Sequence, residues 1–157
     1  MLVELAAASG RIWAAKPAID HEGAICTFQL QQEAARVSCL AFSAASLLLG
    51  VNNGSTVALH LRQNRYSSTA GCAPCACIAA SPVRDEHAVG AADGTVSLFS
   101  GSSAPVVLGV HRSSVHALAY NVSGTRLVSV SSDSVVVWDV QVSGREGRAP
   151  SVCCGQR

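Results

Sequence analysis

The 157-residue chain has a net charge of +1 and only 13% charged residues, so it offers neither a basic stripe for nucleic acid nor an acidic tail. Hydrophobic residues reach 49% but aromatics only 4%, which leaves a core to be built from Ala, Val, Leu and Cys. The length suits one domain burying about 68–70% of its unfolded surface, and no apolar run approaches the roughly 18 residues that a membrane-spanning helix needs.

In chain order, the first thirty residues read as three strands: Leu2 to Ala7, then Arg11 to Ala14 after a Ser9-Gly10 turn, then Ala24 to Leu30. Glu4 interrupts the opening apolar stretch and no Lys or Arg precedes it, unlike a secretory signal. Gln31 to Ala35 is expected as a connector. Three segments then share one plan. Val37-Ser-Cys-Leu-Ala-Phe-Ser43 leads to Leu47-Leu-Leu-Gly-Val51, an Asn52-Asn-Gly54 turn and Thr56-Val-Ala-Leu-His60. Cys75-Ala-Cys-Ile-Ala-Ala-Ser81 leads to His87-Ala-Val-Gly-Ala91, an Asp93-Gly94 turn and Thr95-Val-Ser-Leu-Phe99. Val115-His-Ala-Leu-Ala-Tyr120 leads to Arg126-Leu-Val-Ser-Val130, a turn at Asp133 and Val135-Val-Val-Trp138. Val57, Val96 and Val135 recur every 39 residues, while Phe42, Ala80 and Tyr120 recur at 38 and 40. Short β-branched runs bounded by Gly, Asn, Asp and Ser predict strands, and Asn-Gly and Asp-Gly predict two-residue hairpins, so each unit is an antiparallel meander. Fourth strands fall at Pro105 to Leu108 and near Arg65-Tyr66-Ser67. Asn53 and Asn121, each followed two residues on by Ser, read as turn residues rather than glycosylation sites.

The stretch from His111 to Trp138-Asp139 carries a name: a repeat near forty residues with this turn chemistry resembles the WD40 family. That resemblance implies an all-β fold, a partial β-propeller: an open arc of about three to four blades, each a four-stranded antiparallel meander. The blades would be a partial one at 1–31, WD-like blades at 36–70, 75–110 and 111–140, the last lacking its final strand, and a disordered tail at 143–157. It also implies a structural hydrogen-bond relay of Trp138, Ser129, His111 and Asp133. Val110 stands where the family usually has glycine. The second repeat has Phe99 at the Trp position and Gly71 near the His position, and the first has His60 at the Trp position and Asn53 at the turn.

Other groupings read more simply. Cys72-Ala-Pro-Cys75-Ala-Cys77 begins like a zinc site, but no second pair follows. Cys75 and Cys77 at strand spacing share one face and serve as small buried hydrophobes, so no metal is expected. Cys153-Cys154 reads as an inert tail rather than an acylation site. Asp85-Glu86-His87 reads as a solvated loop, and His116 as a structural histidine facing away from Val115 and Ala117. His111, Ser129 and Asp133 spell a hydrolytic triad in name only. No nucleophile elbow or phosphate loop is present, and neither an enzyme nor a cofactor is expected. Seven cysteines without a framework predict reduced thiols, no disulfides and a cytoplasmic setting. The Ala-rich repeats also resemble those of large multi-propeller WD proteins of cilia and centrioles.

The function expected is a protein-protein interaction scaffold that, as the resemblance implies, binds through top-surface loops around Arg65, Arg84 and Arg112, with no nucleic acid or membrane partner. Because propellers close with four to eight blades, the chain is expected to be a fragment of a larger propeller whose free edges pair with missing blades or another chain. The alternatives are a truncated non-functional product and part of a propeller enzyme with its active site in missing blades.

Overall fold

The computed structural model describes the strands at 3–5, 13–15 and 28–30 and residues 36–60, 65–71, 73–101 and 104–141. The connector at 31–35, Cys72, and the tail at 143–157 with Cys153 and Cys154 lie outside the described residues. Contacts divide the chain into two units, Met1–Arg36 and Val37–Arg157. In the first, β1 (Val3–Leu5), β2 (Trp13–Ala15) and β3 (Phe28–Leu30) pair antiparallel in that order.

The second unit holds three meanders, because connections this short only join antiparallel neighbours. The first blade is β4 (Val37–Phe42), β5 (Ser46–Val51), β6 (Thr56–His60) and β7 (Arg65–Thr69). The second is β8 (Cys75–Ala80), β9 (Glu86–Ala91), β10 (Thr95–Ser100) and β11 (Val106–Val110), and the third is β12 (Val115–Tyr120), β13 (Arg126–Ser131) and β14 (Val135–Asp139). There is no helix among the described residues, and so none long and apolar enough to cross a membrane. Three stacked blades are fewer than the four to eight that close a ring, so this unit is a partial propeller.

Loop chemistry sets the spacing of the repeats. In the first two blades the hairpin between second and third strands has three loop residues, not two. Gly54 N–H donates to Val51 O at 3.0 Å and Gly94 N–H to Ala91 O at 3.1 Å, with the glycines at φ 90° and 91°. The Asn53 and Asp93 side chains accept the amides of Ser55 and Thr95 at 3.0 and 2.9 Å. The third blade has only Ser132 and Asp133 in this loop, closed by Ser131 N–H donating to Ser134 O at 2.9 Å. Strand pairing accordingly aligns Thr56, Val96 and Val135, opposite Gly50, Gly90 and Val130. Leu59, Phe99 and Trp138 share one position, opposite Leu47, His87 and Leu127. His60 thus falls one residue past the Trp position, where the 39-residue spacing had placed it. Thr56-Val57-Ala58-Leu59 fits either register by composition, and only its pairing with β5 decides.

Each first strand carries a bulge, between Val37 and Cys39, Cys75 and Cys77, and Val115 and Ala117. An extra residue reverses which face the following side chains take. Cys75 therefore packs with Ile78, Val89 and Phe99 against Leu48 of the first blade, while Cys77 packs with Ala88, Val96, Leu98 and Leu108 against the third. The two cysteines lie on opposite faces of β8, not on one. The third blade contributes Val115, Leu127, Val136, Trp138 and Val140 to that second core.

With so few large rings, glycines let the blades come close. A methyl group at Gly90 would sit 2.6 Å from Val115 Cγ1, and one at Gly109 would sit 2.5 Å from Trp138 Cη2. The indole of the third blade thus occupies space left open by β11 of the second.

Candidate interaction rims and the relay of the third blade

The meander fixes which loops share an end of the blades. Hairpins between second and third strands, and connections leading into each first strand, lie at one rim, here the upper. Loops between first and second strands and between third and fourth strands lie at the lower. Contacts agree with this division: His111 N–H donates to Gly94 O at 2.9 Å at the upper rim, and Arg84 Nη2 donates to Gly124 O at 2.5 Å at the lower.

The relay runs from the core of the third blade to the upper rim. Trp138 Nε1–H donates to Ser129 Oγ at 2.7 Å, and His111 Nε2 lies 2.7 Å from the same oxygen. Ser129 is 0% exposed, His111 5% and Trp138 4%, so water does not substitute for these partners. Ser131 and Ser134, the hydroxyls beside His111 Nδ1, direct their hydrogens to the Asp133 carboxylate, so Nδ1 carries the hydrogen of the neutral ring and Nε2 accepts from Ser129 Oγ. His111 does not reach Asp133 directly. Its Nδ1 lies 2.8 Å from Ser134 Oγ and 3.0 Å from Ser131 Oγ. Those hydroxyls donate onward, Ser131 to Asp133 Oδ1 at 2.8 Å and Ser134 to Oδ2 at 3.0 Å, and Ser113 adds a bond to Oδ1 at 2.6 Å. Every donor points the same way, toward the carboxylate. The Ser113 and then the Ser131 hydroxyl hold the exposed Asp133 carboxyl well below the usual carboxylate range.

Sequence reasoning missed Ser113, Ser131 and Ser134, although the run Ser129-Val-Ser-Ser-Asp-Ser134 announces a hydroxyl-rich hairpin. Among the described residues of the other blades the relay has no counterpart. Leu49 and Val89 stand level with Ser129, and Gly71 level with His111, where its carbonyl meets the Gly54 turn.

The three arginines are not brought together. Arg112, in the connection into β12, is exposed at the upper rim, whereas Arg84 and Arg65 belong to the lower. The side chain of Arg65 lies outside the described residues. The guanidinium of Arg84 is engaged: besides Gly124 O it lies 3.0 Å from Glu86 Oε1, off the line of a good hydrogen bond, so that contact is chiefly coulombic.

Of Asp85-Glu86-His87 only Asp85 is an exposed loop residue, since Glu86 and His87 open β9. Glu86 is buried, and burial raises its carboxyl against the opposing pull of Arg84. The His87 ring stacks on Phe99, with centroids 5.0 Å apart and planes 3° from parallel. Burial pushes its imidazole down to about 4, against a smaller opposite effect from Asp85. These residues face a cleft of about 520 Å³ between the first two blades, whose first-blade wall includes His60, with Nδ1 2.7 Å from Ser46 Oγ of the neighbouring strand. His116 is exposed, with Nε2 2.7 Å from Ser132 Oγ at the upper rim. Among the described residues no three His, Cys, Asp or Glu side chains gather as metal ligands would.

Residues 104–139 match the family described as WD domain, G-beta repeat. That match identifies a WD40-type repeat over the last strand of the second blade and the third blade, and the solved structures that follow are similar in their β-propeller fold. A chain in the crystal structure of a mitotic checkpoint complex is similar at 21% identity and TM-score 0.65, over 75% of this chain and 39% of that one. The computationally designed Ika4 protein is similar at 24% identity and TM-score 0.62, over 77% of this chain and 76% of its own. The β-propeller domain of Myceliophteria thermophila Cps50 (Swd1) is similar at 14% identity and TM-score 0.61, over 68% of this chain and 39% of that one. The chain thus spans about 39% of the first and third of these. Comparison of the sequence with curated proteins found no match.

Proposed function

We propose that the chain is a protein-protein interaction scaffold, not an enzyme, and that it binds through the upper rim of its blades. The supporting observation is the relay, which anchors an exposed, ionised carboxylate and its hydroxyls at that rim through a chain of buried partners. A rim held this way loses little freedom on binding, which favours affinity. Arg112, Ser132 and His116 lie at the same rim and supply donors around Asp133, Arg112 with a fork suited to carboxylates.

The relay is a structural device on this reading. Ser129 is 0% exposed and its hydroxyl is held between Trp138 and His111, so it does not meet a substrate. The three thiols described are unpaired, which fits a reducing, cytoplasmic setting. The three blades act as part of a larger propeller, which the coverage of 39% of two solved relatives supports.

The test is quantitative co-purification with the tagged full chain, comparing Arg112→Ala with the lower-rim pair Arg65→Ala/Arg84→Ala. A partner reduced roughly tenfold or more by Arg112→Ala and retained by the pair is the expected result. A partner set unaffected by Arg112→Ala refutes the upper-rim assignment.

A further inference from the structure

The first blade interface holds a thiol pair that the second lacks. Cys39 Sγ lies 3.4 Å from Cys75 Sγ, across the boundary between β4 and β8. Gly50 makes the approach feasible, since a Cβ there would collide with both sulfurs. Ser38, the bulged residue of β4, clamps the two strands, its hydroxyl contacting the carbonyls of Cys75 and of Gly50. The equivalent position of the next interface has Gly90, Cys77 and Val115, so there a single thiol faces a valine and contacts the Val115 carbonyl at 3.6 Å. The two sulfurs also differ in environment. Cys75 is 3% exposed, whereas Cys39 is half-buried. The Cys75 thiol, donating to Cys39, holds Cys39 down to about 7 despite its partial burial, while burial pushes Cys77 up to about 11.

We propose that Cys39 and Cys75 form a peroxide-oxidisable dithiol, with Cys39 the attacking sulfur and Cys75 the resolving one, whose product is a disulfide joining the first two blades. The Cys39 thiolate attacks one oxygen of hydrogen peroxide; the O–O bond breaks, hydroxide leaves and takes up a proton, and Cys39 becomes a sulfenic acid. Cys75 then gives up its proton and attacks the Cys39 sulfur; the S–O bond breaks, water leaves and the S–S bond forms. Two thiols are oxidised and one peroxide is reduced to two waters. Forming the bond brings the two sulfurs from 3.4 Å to the about 2.05 Å of a disulfide. A thiol reductant of the glutathione or dithiothreitol class reverses the product.

The experiment uses the full chain, fully reduced, exposed to hydrogen peroxide, alkylated and mapped by peptide mass spectrometry. The expected result is a Cys39–Cys75 cross-link removed by dithiothreitol and absent in Cys39→Ser. In Cys75→Val, which copies the valine at the matching position of the next blade, a 1,3-dione probe labels Cys39 as its sulfenic acid. Before oxidation, iodoacetamide modifies Cys39 roughly tenfold or more faster than Cys77 near neutral pH. Cross-links distributed among other cysteines, or Cys39 and Cys75 both still alkylatable after peroxide has oxidised the chain elsewhere, would overturn the proposal. So would 1,3-dione label on Cys77 in preference to Cys39.

Discussion

Replacing Ser129 by alanine isolates the relay, because the side chain shrinks by one atom while two buried groups lose their partner. The hydroxyl accepts from Trp138 Nε1 and donates to His111 Nε2, each at 2.7 Å, in a site with 0% exposure at Ser129. A buried polar group left unpaired costs about 1–3 kcal/mol, so the two together cost about 2–6 kcal/mol. In a chain of about 150 residues each kcal/mol lowers the melting temperature by about 2–4 °C, so Ser129→Ala should melt roughly 4–24 °C below the parent. Chemical denaturation gives the free energy, and Trp138→Phe completes a double-mutant cycle. Since each single change already breaks the indole bond, the double variant should be less destabilised than the sum by roughly 1 kcal/mol. A loss below about 0.5 kcal/mol for Ser129→Ala, or strict additivity, would refute the argument that these groups depend on one another.

Gly109→Ala should destabilise by about 1–3 kcal/mol through overlap with the indole, and Trp138→Phe, which lacks the Cη2 atom, should reduce that penalty in the double variant by denaturant melts. His87, neutral in the fold with its imidazole at about 4 against an ordinary 6.5, is protonated first in the unfolded chain. Stability should therefore be full above about pH 6.5 and fall by about 1–3 kcal/mol on acidification toward pH 4. His87→Leu, which copies Leu127 of the third blade, should flatten that part of a pH titration of denaturant midpoints. Arg84→Ala should cost about 1–3 kcal/mol, since it removes the bond to Gly124 and leaves the buried Glu86 without its cation; a Glu86→Gln background should recover part of this.

The strands themselves were legible because short aliphatic runs alternate with glycine and Asx turns, as in Leu47–Val51 before Asn53-Gly54. Register was less so. Thr56 and Val57 are both good strand residues, and the shorter Ser132-Asp133 loop removes one residue from the third repeat without any marker such as glycine. The bulges were invisible for a similar reason: Cys75-Ala-Cys77 reads as regular alternation, and only the demand that β8 bury side chains against blades on both faces turns Cys75 one way and Cys77 the other. Glu86 and His87 looked like loop residues by polarity, yet Arg84 and Phe99, which make their burial tolerable, lie in a preceding turn and a neighbouring strand. The Trp138, Ser129 and His111 positions followed from the family resemblance. The serines between His111 and Asp133 did not, because no spacing rule announces hydroxyls inserted into a relay.

The blades stack so that the third fills space left by glycines of the second. The most direct measurement is the nuclear Overhauser spectrum of the Trp138 indole. Strong cross-peaks from the six-membered ring to the Gly109 α-protons are predicted, since the nearest ring carbon would lie 2.5 Å from a Cβ at that glycine. An indole that shows contacts only within its own blade, with none to Gly109, would contradict the stacking and the rim built on it.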